Sequence, residues 1–130
     1  MARILTTAAL ALAFGAVAVG GAGALLAANV APAGEKVFKS DCAVCHSTSA
    51  KGGPTIGPTM FGVVGRKAGS LPGYHYSSAM EMAGLVWTQS NLDKYIANPK
   101  SVVPGDKMPY AGLKNAQKRD ALVEYLKTLK

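Results

Sequence analysis

"DCAVCHSTSA", residues 41–50, holds both cysteines of the chain, Cys42 and Cys45, and one of its two histidines, His46. Three chemistries use such a cluster: a redox disulfide, part of a zinc site, or covalent attachment of haem. A disulfide across two intervening residues closes too short a loop to stabilise a fold, and a thioredoxin-like one belongs in a βαβ setting that this chain does not show. Zinc needs four donors, and beyond the cluster only His75 remains as a plausible one. Cys-x-x-Cys-His is the signature of c-type haem attachment. Its logic is geometric: two thiols one helical turn apart add to the two vinyl groups of one porphyrin, and the adjacent imidazole is carried under the ring toward the iron.

The surroundings of the cluster fit a chain that wraps something. The 130 residues carry a net charge of +7, and Arg3 is the only charged side chain before Glu35. A basic start followed by an uncharged apolar run from Ile4 to Ala28 reads as an export signal or a membrane anchor. The run exceeds the roughly 7–15 residues of an ordinary signal core and is long enough to span a bilayer, which takes about 20. Cleavage near Ala24 or Ala33 and retention as an anchor both stay open. Residues 1–33 are therefore set apart from a domain at 34–130. Export places the domain in the bacterial periplasm, free or tethered to the inner membrane by residues 4–28, and makes nucleic acid an improbable partner. The positive charge suits an acidic protein surface instead.

Within the domain, a first helix is expected from Gly34 to about Cys45, with Val37 and Phe38 on one side. "KGGPTIGPTMFGVVGRKAGSLPGYHY", residues 51–76, is too dense in Gly and Pro for long regular elements. Ser77 caps a short turn through about Met82. Thr88 opens a stronger helix carrying Leu92, Tyr95 and Ile96 and ending at Asn98-Pro99. "SVVPGDKMPYAG", residues 101–112, is loop again. The last helix starts near Asn115 with Leu122, Tyr125, Leu126 and Leu129 at helical spacing. No segment alternates with period two. The expectation is all-α, three main helices plus short turns and long Gly/Pro loops. Loops of that length count against a compact fold unless they enclose a cofactor that completes the core.

With His46 on one side of the iron, the candidates for the other side are Met60, Met80, Met82, Met108 and His75. A thioether binds iron weakly, so its loop must hold the sulfur in place. Met108, in "PGDKMPY" between Pro104 and Pro109, is the best placed. His75, between two tyrosines, reads as a surface histidine.

From Gly34 onward the chain resembles the class I c-type cytochromes, the group of mitochondrial cytochrome c and bacterial cytochrome c2. The stretches that carry the likeness are "GEKVFKSDCAVCH", "GPTMFGVVGRKAGS", "PGYHYSSA", "GLVW", "YIANPK", "VVPGDKMPYAG" and "LVEYLK", in family order. The resemblance implies the small cytochrome c fold wrapped around one haem c, held by thioethers to Cys42 and Cys45, with His46 and Met108 on the iron. It implies that Gly34 and Phe38 pack on Tyr125, and that the Pro58 carbonyl accepts the His46 Nδ1–H. Arg66, Tyr76 and Trp87 would surround the propionates, and Tyr95 would approach the Met108 sulfur. Two positions depart from the mitochondrial pattern. Asp106 stands where a propionate-binding threonine is usual, and Met80 where an asparagine is.

The implied function is one-electron carriage by a monomer, not catalysis, because both axial positions are filled. The implied partners are acidic docking surfaces on a quinol–cytochrome c reductase and on a terminal oxidase or photosynthetic reaction centre. Lys39, Lys51, Lys67, Lys100, Lys107 and Lys114 would ring the haem edge. Two competing readings are a peroxidase-like or ligand-binding haem protein with a labile sixth ligand, and a thiol–disulfide oxidoreductase without haem.

Overall fold

The computed structural model describes residues 22–52 and 55–130. Its elements are α1 (Ala22–Asp41), α2 (Ser78–Met82), α3 (Gln89–Ala97), α4 (Pro99–Val102) and α5 (Ala116–Thr128). The described residues contain no strand ladder; a lone antiparallel bridge joins Lys67 to Val86. Most of the apolar run at the N-terminus lies outside the described residues. Among the described helices, none is long and apolar enough to cross a membrane.

Helix α1 is already formed at Ala22, the first described residue, rather than starting at Gly34, and it contains Pro32. Proline lacks the amide that would bond the carbonyl four residues back. The stretch before it is rich in alanine and leucine, the strongest helix formers, and this outweighs one missing bond. The helix ends at Asp41, short of Cys45. The coil nevertheless continues: the Cys42 and Ala43 amides both donate to the Phe38 carbonyl at 2.9 Å, and the His46 amide donates to the Cys42 carbonyl at 2.9 Å. Cys42 and Cys45 are thus about one turn apart, as attachment to one ring requires.

The terminal helices α1 and α5 pack against each other, and Gly34 is the reason they can approach. A Cβ at that position would come 2.6 Å from the Tyr125 Cβ and would collide with the Ala121 carbonyl. One turn further on, the Phe38 and Tyr125 rings meet at 5.8 Å between centroids. Helix α3 lies on α5, where the Arg119 Nε donates to Asp93 at 2.7 Å and its Nη1 donates to the Leu113 and Lys114 carbonyls.

Side-chain caps place the helix starts where the sequence reading expects them. The Ser77 hydroxyl accepts from the Met80 amide, Thr88 from Asn91 and Asn115 from Lys118. Each such cap is worth about 1 kcal/mol. The short α4 is an addition to the sequence reading. Pro99 ends α3 but sits at the first position of α4, where its missing N–H costs nothing. The buried core consists of Phe38, Val63, Ala68, Met80, Trp87, Leu92, Tyr95, Val103, Leu122, Val123 and Leu126. It is a thin core, and much of it faces a cavity rather than other side chains.

Candidate haem site

That cavity has a volume of about 520 Å³, within the range of small-molecule and cofactor sites. Cys42, Cys45, His46, Pro58, Arg66, Tyr76, Trp87, Tyr95 and Met108 all line it. These residues come from the end of α1, the Gly/Pro loops, α3 and the loop before α5, so only the tertiary fold collects them. Of the other candidate ligands, Met60 and Met80 also line the cavity, whereas His75 does not. Met82 is 78% exposed and lies elsewhere.

His46 is prepared as a ligand. Its Nδ1–H donates to the Pro58 carbonyl at 2.8 Å, which leaves Nε2 with a free lone pair. Burial lowers its pKa from the ordinary histidine value, partly offset by the Pro58 hydrogen bond, and so keeps the ring neutral. Gly57 is required beside it, because a Cβ there would collide with the imidazole. The hydroxyl of Thr55 donates to the Cys45 carbonyl at 2.5 Å, and the Gly57 amide donates to the same oxygen at 2.8 Å. No disulfide joins the two cysteines. Burial, with the neighbouring Asp41 carboxylate, pushes the Cys42 thiol up to about 11.

Arg66 commits its outer nitrogens to the backbone: Nη1 donates to the Phe61 carbonyl at 3.0 Å and Nη2 to Thr59 at 2.8 Å. Its Nε is buried without a partner. A buried orphan N–H is costly, and an anionic group in the cavity would satisfy it. Thr59 is in turn fixed by its hydroxyl, which donates toward the Ser47 and Ser49 carbonyls at 3.1 Å. Two residues that line the cavity, Val44 and Ile56, are 78% and 70% exposed. They form an apolar rim.

The loop before α5 departs from the resemblance. Val103-Pro104-Gly105-Asp106 makes a tight turn in which the Asp106 amide donates to the Val103 carbonyl at 3.1 Å, with Gly105 at φ +90°. Proline second and left-handed glycine third is the pattern of a type II turn. It sends Asp106 inward. The Tyr95 hydroxyl, expected near the Met108 sulfur, instead donates to Asp106 Oδ2 at 2.5 Å. Lys100 pairs with the other carboxylate oxygen and donates to the Asp106 carbonyl at 2.6 Å. Burial and the adjacent carboxylate both raise the Tyr95 pKa. A pairing across eleven positions of chain has no local signature, although the departure at Asp106 marks where to look. The sequence reading also passed over Tyr74, whose hydroxyl donates to the Ile56 carbonyl at 3.1 Å and whose ring meets Tyr76 edge-on.

A cavity lined by two unbridged cysteines, a neutral imidazole with a free lone pair, a thioether and a partnerless guanidinium N–H fits a covalent haem with anionic side arms. Comparison with known proteins agrees. The cytochrome c family profile matches residues 31–130. The chain belongs to the cytochrome c family. Cytochrome c2 of Rhodomicrobium vannielii is 50% identical over 95 residues, covering 73% of this chain and 75% of that protein. Cytochrome c of Euglena viridis is 46% identical over 97 residues, covering 75% and 94%. Among solved structures, cytochrome cH from Methylobacterium extorquens superposes with a TM-score of 0.69 at 44% identity, covering 75% of this chain and 97% of its own. The fold is the small class I cytochrome c fold. The chain carries one covalent haem c with its iron and is a haem-based electron carrier.

Proposed function

We propose that Cys42 and Cys45 carry the two thioethers, that His46 and Met108 are the axial ligands, and that the protein shuttles electrons from a quinol-oxidising complex to a terminal oxidase or photosynthetic reaction centre. The observation that carries this reading is that one cavity collects both cysteines, His46 and Met108. When bound, the haem supplies a one-electron couple, and methionine opposite histidine raises its potential. The protein's part is positional. Pro58 orients His46, Arg66 offers its Nε to a propionate, and Tyr76 and Trp87 wall the same region.

Docking is the role proposed for the six lysines expected around the haem edge, of which Lys107 lines the cavity. Four of the six already have partners: Lys39 with Glu35, Lys100 with Asp106, Lys107 with the His75 and Tyr76 carbonyls, and Lys114 with the Ala97 carbonyl. Lys51 and Lys67 are exposed. Such a surface raises encounter rates with an acidic partner at low salt. Residues 1–33 direct the domain to the periplasm, and the intact mass of the haem-staining band after alkaline washing of membranes tells a retained anchor from a cleaved signal.

The deciding experiment is Met108→Ala. The potential falls sharply, the long-wavelength band of ferric iron bonded to thioether disappears, and cyanide binds quickly. If band and potential survive, Met108 is not the ligand, and Met80 and Met60, which share the cavity, are next.

A further inference from the structure

We propose that Asp106 is a positioning residue for the sixth ligand: it takes the Tyr95 hydrogen bond for itself and staples the loop carrying Met108 to helices α3 and α4. This rests on Met108 being that ligand. The tight turn at 103–106 delivers Asp106 into the protein, where its side chain is only 1% exposed. Both carboxylate oxygens are engaged, Oδ2 by Tyr95 from α3 and Oδ1 by Lys100 from α4. The next residue, Lys107, reaches the other way and donates to the Tyr76 carbonyl at 3.0 Å and the His75 carbonyl at 3.3 Å. The two residues ahead of Met108 are therefore anchored to separate parts of the fold.

Tyrosine has one hydroxyl proton, and thioether sulfur is a weak acceptor. A carboxylate is a far stronger one, since a hydrogen bond to a charged group is roughly twice as strong as one between neutral groups. In that competition Asp106 wins, so the sulfur is held by the staple rather than by a hydrogen bond from Tyr95. Lys100 keeps its side chain half in solvent, at 52% exposure, while its charge balances the buried carboxylate. The pairing offsets part of the cost of burying the carboxylate.

The test uses ferric holoprotein and follows imidazole displacing the sixth ligand in a stopped-flow instrument, alongside the iron–thioether band. Asp106→Asn and Tyr95→Phe each speed displacement by about tenfold or more, since about 1.4 kcal/mol is one factor of ten. The double variant falls short of the product of the two, because both changes break one unit. The band of Tyr95→Phe stays where it was, because the sulfur never held that proton. A band shifted by Tyr95→Phe with Asp106→Asn silent, or fully multiplicative effects, would overturn the proposal. Should Asp106→Asn fail to accumulate as holoprotein, Lys100→Gln changes a half-exposed side chain and also speeds displacement; an unchanged rate there counts against the staple. Met108→Ala separates the two claims. A band that persists in it removes the ligand assignment, whereas a band lost in it and displacement unaltered in the Asp106 variant removes only the role of Asp106.

Discussion

Replacing Gly34 by alanine sets two effects of known sign against each other. Alanine is favoured over glycine inside a helix by about 1 kcal/mol, so in an isolated α1 the change would stabilise. In the folded protein the new Cβ would stand 2.6 Å from the Tyr125 Cβ and closer still to the Ala121 carbonyl. Carbon atoms rest at about 3.5–4.0 Å, so α1 and α5 must part by about 1 Å. A gap of that size forfeits a quarter to a half of the dispersion attraction of every contact it opens, including Phe38 on Tyr125. Overpacking of this kind costs about 1–3 kcal/mol, and backbone atoms cannot step aside as a side-chain tip does, which argues for the upper end. The expected net loss is about 2 kcal/mol. Guanidinium unfolding of the ferric holoprotein reads it as a midpoint lowered by about 0.3–1 M, for m-values of roughly 2–6 kcal/mol/M. Ala121→Gly gives no rescue, because the obstruction is a backbone carbonyl. A midpoint that is unchanged or raised in Gly34→Ala would show that the helices do not cross on this residue.

Arg66→Lys removes the fork that serves the Thr59 and Phe61 carbonyls, and one ammonium cannot reproduce it. Stability falls by about 1–3 kcal/mol in the same unfolding assay, and the potential shifts with it; an unaltered midpoint would deny Arg66 its place in the loop. Lys67→Glu, at an exposed position, slows electron transfer to an acidic redox partner at low ionic strength and has little effect once salt shortens the screening length to about 3 Å at 1 M. Equal slowing at both salt concentrations would mean that Lys67 acts through something other than charge.

What could be read from the sequence was what depends on near neighbours. The caps at Ser77, Thr88 and Asn115 are three-residue hydrogen-bond patterns, and the Cys-x-x-Cys-His cluster is one turn of chain. The apolar spacing of α5 likewise follows from one helix alone. Where a local rule competed with another local rule, the outcome was less legible. Pro32 marks a break by itself, yet sits in an alanine-rich helix that absorbs it. Pro99 ends one helix and starts the next. The resemblance supplied the Pro58 partner of His46 and the Phe38–Tyr125 contact, neither of which has a local signature. It could not supply the Tyr95–Asp106–Lys100 cluster, because the carboxylate is where this chain leaves the mitochondrial pattern and its partners are set by the crossing of α3, α4 and the loop.

The size of the central cavity also bears on what completes the core. A space of about 520 Å³ lined by Phe38, Val63, Trp87, Leu92, Leu122 and Leu126 would, without a cofactor, leave apolar side chains facing water and forfeit their burial. Small domains have only about 5–15 kcal/mol of stability in total. A haem in that space therefore supplies much of the core that the chain's own side chains leave open. Five consecutive residues, Cys42 to His46, bring both thiols and the imidazole together without any help from tertiary structure. The covalent bonds to the haem thus do more than hold a cofactor, because they fix in place the group around which the loops and helices close.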